Sequence, residues 1–287
     1  MQISKFSVLL LLPVMLSSCS INKMVIRKTG VILNYGMESM QEETDLQFAE
    51  DALAANLKMI EALIKGDPTN QDLLVMAAEG FTSYSLGFVE DVDTRRASAF
   101  YIRAKEYGLR ALKKQRGFGE ALEGNLEQLG ESLQSFGMDD VPALFWTAIA
   151  WGNYINLNRT SPMAIVEMPQ ALALMERVLE LDDTYFNAGP HMFFGVILAS
   201  RSKMLGGDPE KAREYFEDNI RLTDGRFLMN KVYYAQYYAR QAQDKDLFTR
   251  LLNEVLEAKE WPAGMSLMNL VAQRKATVLL DDVDIYF

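Results

Sequence analysis

An all-α fold of stacked antiparallel helix pairs is what this sequence predicts, and three observations predict it. Apolar residues recur at helical intervals along most of the chain. Glycine, proline, aspartate and asparagine interrupt those runs where helices stop and start. Strand signals of alternating type are absent. Because one helix pair cannot bury its apolar face alone, the pairs are expected to stack. Two ordinary helical bundles are the alternative arrangement.

The elements follow in chain order. Lys5 precedes an apolar run from Phe6 to Leu16 that is too short to span a bilayer and reads as a secretory signal over residues 1–18. Leu16-Ser17-Ser18-Cys19 forms a lipobox, in which Cys19 is acylated and the chain is cut before it. Cys19 is the only cysteine, so an internal disulfide framework is excluded. The acyl chains would hold the protein at a membrane surface without spanning it. Ser20 lacks the aspartate character that retains lipoproteins at the inner membrane, which points to the periplasmic face of the outer membrane. Residues 19–43 read as a tether and a short helix, since Met24-Val25-Ile26 and Val31-Ile32-Leu33 are broken by Gly30 and Gly36.

The helical domain is placed at 44–287. Its first helix follows Thr44 as N-cap and ends at Gly66-Asp67-Pro68. A second starts near Asn70, and a third after Asp93-Thr94 ends in the basic run Arg110 to Arg116, which suits a helix C-terminus. Further helices are expected over Glu120 to Phe136, Val141 to Asn156 and Pro162 to Leu181. One antiparallel pair is expected around Leu205-Gly206-Gly207-Asp208-Pro209. The glycines supply a left-handed stop, Asp208 caps the next helix, and Pro209 sets its first φ. A helix from Phe227 to Ala242 carries Tyr233-Tyr234 and Tyr237-Tyr238, and Leu247 to Ala258 and Ser266 to Leu280 close the array. One register offset carries Ala171-Met175-Val178 onto Ala212-Phe216-Asn219, with small and aromatic residues at tetratricopeptide-like intervals. The fold is therefore expected to be an irregular tetratricopeptide-like helical repeat.

Composition excludes several functions. With 39 acidic and 29 basic residues and a net charge of −10, the chain is poorly suited to nucleic acid. His191 is the single histidine, and no Ser-His-Asp, Cys-His, His-x-x-x-His or Cys-x-x-Cys pattern exists, so neither a catalytic residue nor a metal site nor a cofactor is assigned. Paired acids such as Asp139-Asp140 and Asp182-Asp183 fall at helix ends, where caps explain them. Pairs of aromatic residues at i and i+4 give two stripes, one for the partner helix and one for a groove. Phe145, Trp146, His191, Phe194, Tyr234 and Tyr238 are the groove candidates, and the 16 methionines suit an adaptable apolar surface.

The glycine turn, together with Tyr185…Gly189-Pro190-His191…Gly195, Phe100-Tyr101…Arg103-Ala104, Ala143-Leu144-Phe145-Trp146 and Lys231…Ala235, resembles the T component of tripartite ATP-independent periplasmic (TRAP) transporters, the TatT-like lipoproteins. The resemblance covers most of the mature chain. It implies a periplasmic lipoprotein that docks the solute-binding P component. The aromatic stripes add a second expected role, binding or conducting an apolar small molecule, and the missing catalytic patterns point away from an enzyme. A general envelope scaffold or assembly lipoprotein is the alternative, and homo-oligomer formation is left open.

Overall fold

The computed structural model describes residues 32–287 together with Ile26, Thr29 and Gly30. The signal and lipobox expectations, Cys19 included, lie outside the described residues. A helix over 32–41 (α1) leads in, with Leu33, Met37 and Met40 packed against the core. In α2 (Leu46–Gly66) the N-cap is Asp45 rather than Thr44, because the Asp45 carboxylate accepts from two free backbone N–H groups, those of Gln47 and Phe48. Asn70 caps α3 (Gln71–Tyr84) and Asp93 caps α4 (Thr94–Leu112), both where the sequence places them. A π-helical turn, Ser85–Val89, joins those two helices.

Two of the expected helices are each broken in two. The stretch after Glu120 divides into α5 (Phe118–Glu123) and α6 (Leu126–Leu133), because Asn125 and Gln128 form a reciprocal capping box that starts a new helix beyond Gly124. The stretch after Val141 holds as α7 (Val141–Leu157), but the next divides into α8 (Pro162–Ile165) and α9 (Met168–Leu181). Pro169 has no N–H to give the Ile165 carbonyl, so the helix restarts around it.

The pair around the glycine turn consists of α10 (Tyr185–Ala199) and α11 (Pro209–Leu222). The contacts of Asn187 with Asn219, His191 with Tyr215 and Leu198 with Asp208 run in opposite chain directions, so the two helices are antiparallel. However, α10 ends at Ala199 rather than at Leu205, and a 3-10 turn over Lys203–Leu205 fills the gap. Gly206 has φ +81°, the left-handed stop. Gly207 is needed for a different reason, since a Cβ there would overlap the Arg201 carbonyl oxygen. Asp208 caps α11 through the Lys211 N–H at 3.2 Å.

After α11 come α12 (Met229–Tyr233), a second π-helical segment over Tyr234–Ala239, α13 (Lys245–Glu257), α14 (Ser266–Asp281) and α15 (Val283–Tyr286). No strand occurs among the described residues, so the protein is all-α. Packing runs mainly between sequence neighbours: α2 on α3, α3 on α4, α4 on α7, α7 on α9, α9 on α10, and α10 on α11. Ala171, Met175, Val178, Ala212, Phe216 and Asn219, the residues of the expected repeat register, are all buried. The short helices α5, α6 and α8 interrupt the series, so equal repeat units are not seen. The series also returns on itself. Helix α14 contacts α2, Lys275 Nζ meets the Asp91 carboxylate at 2.6 Å, and the Arg274 guanidinium donates to the Gly87 carbonyl.

Candidate functional site

The six groove candidates separate into three aromatic groups. Phe145 and Trp146, both in α7, pack edge-on against each other; Trp146 meets Phe186 edge-on and Phe145 meets it at a tilt, while Phe145 also meets Tyr185 at 5.0 Å between ring centres. His191 and Phe194 share Tyr215 as a neighbour across the α10–α11 pair, and His191 Nε2 lies 3.3 Å from Asp183 Oδ2. Tyr234 stacks on Phe216 and touches Tyr238. Five of the six are buried and Tyr238 is partly buried. The structure therefore brings Phe145 and Trp146 together, His191 and Phe194 together, and Tyr234 and Tyr238 together, but not all six around one space.

A cavity does lie between the same helices, on their other faces. It is lined by Ile149, Gly152, Asn153 and Asn156 of α7, by Met192, Phe193, Val196 and Ile197 of α10, by Leu86 and Glu90 of the α3–α4 link, and by Tyr233 and Tyr237. A Cβ on Gly152 would come within 2.6 Å of the Phe193 ring, so that glycine is what lets α7 and α10 approach so closely. The space is a narrow slot of about 40 Å³, room for only a few water molecules. A larger guest would enter only if side chains such as Met192, Phe193 or Tyr237 turned aside.

The slot is apolar along α10 and polar at one pole. The Tyr101 hydroxyl donates to Glu90 Oε2 at 2.5 Å, and burial raises the Glu90 carboxyl above the usual carboxylate range. Burial likewise pushes the Tyr237 phenol up to about 12, with the Glu90 charge acting in the same direction. Tyr233, whose phenol burial also raises, and Tyr237 stay protonated at neutral pH, so their hydroxyls are hydrogen-bond donors. Asn156 Nδ2 donates to the Tyr237 oxygen at 2.9 Å, whereas the buried Asn153 Nδ2 has no partner. Both π-helical segments among the described residues border this slot, one just before Glu90 and the other beginning just after Tyr233. Such segments are over-represented at functional sites.

The sequence reading missed Glu90, Asn153, Asn156, Tyr233 and Tyr237. A signal for the tyrosines was present, since the doublets at 233–234 and 237–238 give two stripes, but nothing local says which stripe faces inward. The signal for Glu90 was faint, since it is the first of three acids, with Asp91 and Asp93, that follow the apolar stretch Leu86-Gly87-Phe88-Val89. A second feature sits where α10 begins. Phe186, Asn187 and Ala188 have φ of 46°, 59° and 54°, a left-handed turn that side chains with a Cβ rarely adopt. Asn219 holds it, with Nδ2 donating to the Asn187 and Ala188 carbonyls at 2.9 and 2.7 Å.

Among the described residues no group of three or more His, Cys, Asp or Glu side chains is placed to hold a metal ion. No helix among them is long and apolar enough to cross a membrane. The family model described as "TRAP transporter T-component" matches residues 42–287. No curated protein matches the chain.

Proposed function

The chain belongs to the TRAP transporter T-component family, and from that premise we propose that it is a periplasmic lipoprotein which docks the solute-binding P component of the transporter. Family membership makes it a TRAP-associated component working at the cell envelope. Docking, the lipid anchor and the periplasmic address are our reading beyond that. In it, residues 1–18 are the signal, 19–43 the anchored tether with its short helix, and 44–287 one tetratricopeptide-like domain. The observation that carries docking is the packing itself, helices stacked mainly on their chain neighbours, which offers a shaped surface for a protein partner. The tether would raise the local concentration of a captured subunit near the membrane. Because the family match ties the chain to a transporter, docking is preferred over a general envelope scaffold. Titration of a form starting after Cys19 with purified P component, followed by calorimetry or light scattering, is the test. A complex is expected, since the acyl chains only localise the protein, and none at tens of micromolar would overturn the reading.

A second role, taking in an apolar small molecule, is favoured by the slot bordered by both π-helical segments. In this reading Phe193, Tyr233 and Tyr237 meet the guest and Phe194 backs Phe193 from behind, while Phe145, Trp146, His191, Tyr234 and Tyr238 lie outside the slot's lining. Mass spectrometry of small molecules co-purified with the protein checks it. Loss of the guest on Gly152→Phe, with unchanged P-component binding, is the expected result.

A further inference from the structure

We propose that the basic end of the α2–α4 pair lies against the anionic headgroup surface of the membrane that carries the anchor, and so fixes which way the body faces. The proposal rests on the reading of Cys19 as acylated. Its starting point is a charge pattern opposed to the net charge of −10. The groove between α2 and α4 is lined by Lys58, Lys65, Arg103 and Arg110, with Glu61 as the sole acid lining it. Glu61 is already engaged by Lys58 at 2.5 Å, by the Tyr107 hydroxyl at 2.9 Å and by Arg103 at 3.5 Å. Arg110 donates only to a backbone carbonyl, that of Pro68, and Lys65 is exposed with no carboxylate partner.

Beyond the groove the same end continues with exposed Lys113, Lys114 and Arg116. Lys114 Nζ bonds Gln71 Oε1 at 2.9 Å, which ties this basic stretch to the start of α3, beside the end of α2. Asp72 and Glu120 are the exposed acids on the adjoining helix starts, and they are outnumbered.

The chain also enters the body here. Ile26 Cδ1 lies 2.5 Å from where a Cβ on Gly66 would sit, so the N-terminal segment arrives next to Lys65. Cys19 is seven positions before Ile26, a reach of at most about 25 Å even when fully extended. The acylated residue therefore holds this end, and not the opposite one, near the bilayer. Basic side chains held close to an anionic lipid surface are attracted to it, and salt screens that attraction. An acidic protein partner would need the same charges, but the tether gives the membrane the prior claim on them.

The test uses the full acylated protein reconstituted in vesicles of phosphatidylcholine alone or of phosphatidylcholine with phosphatidylglycerol. Lysines are labelled with an amine-reactive ester and read by peptide mass spectrometry. Labelling of Lys65, Lys113 and Lys114 should fall severalfold in the anionic vesicles and recover in high salt, while exposed Lys211 stays unchanged. The triple variant Lys65→Glu, Arg110→Glu, Lys114→Glu changes only exposed side chains and should lose the Lys113 protection. Equal labelling in the two vesicle types, or protection that appears only on adding a protein partner, would overturn the proposal. Flotation with neutral vesicles and the intact mass read the anchor separately. Without flotation, the anchor and the orientation fall together, whereas flotation with unchanged labelling removes the orientation alone.

Discussion

Gly206 and Gly207 look interchangeable in the sequence, yet the structure gives them different duties. At Gly206, with φ +81° and open space around its Cα, the constraint is conformational. Gly206→Val should cost roughly 1–2 kcal/mol through left-handed strain, measured as a lowered urea midpoint with unchanged slope. A neutral result would mean that the turn rearranges without cost. Glu79, in the cleft that Asp139 and Tyr185 also line, is governed by solvation instead. Burial pushes its carboxyl up to about 7. Between the ordinary carboxylate value and that point the folded chain binds more protons at this site than the unfolded chain does. Stability therefore falls as pH rises through that window and is flat above it. Glu79→Gln should abolish this slope and stabilise the protein at pH 8 by about 2 kcal/mol, read from urea unfolding at acidic and alkaline pH.

At the scale of the element, the join between α14 and the α3–α4 link is the contact that returns the helical series to its beginning. Its two charges are unequally placed, Lys275 being 7% exposed and Asp91 48% exposed. The two truncations should therefore differ. Lys275→Met leaves a carboxylate that water can solvate, at a cost of about 1 kcal/mol, whereas Asp91→Ala strands a buried ammonium, at about 2–3 kcal/mol. Denaturant unfolding of both single variants and the double variant measures the asymmetry and the coupling, and equal losses would contradict it. The helices with local start signals, such as Asp93 before α4 and Asp208 before α11, begin where the sequence places them. The breaks at Asn125 and Pro169 were also written locally, in a capping box and a mid-run proline. The apolar periodicity running through both stretches obscured them.

For the whole molecule, location and surface matter more than any single side chain. No described helix is long and apolar enough to cross a membrane, and attachment in the proposed reading depends on Cys19. Cys19→Ala should release the protein from membranes or leave its signal uncut, and metabolic labelling with a palmitate analogue should mark only the wild type. An unlabelled wild-type protein would remove the anchor. The helix surfaces would remain as the means of docking, since P-component binding is expected to survive loss of the acyl chains.

Sequence alone determined the all-α class, most helix starts, a left-handed stop within the Gly206-Gly207 pair and the likeness to the family whose model spans residues 42–287. These depend on short-range chemistry, namely which side chain accepts from a free N–H, which residue tolerates positive φ, and where the apolar period lies. Tertiary structure alone decided that Tyr233 and Tyr237 face the slot while Tyr234 packs on Phe216, and that Glu90 sits beside them. The reason lies in helical phase. Successive residues are about 100° apart around a helix, and the π-helical segment over Tyr234–Ala239 shifts that phase. Which of two equally aromatic stripes turns inward is then settled by packing against α7, α10 and α11, elements outside the stripe's own local sequence.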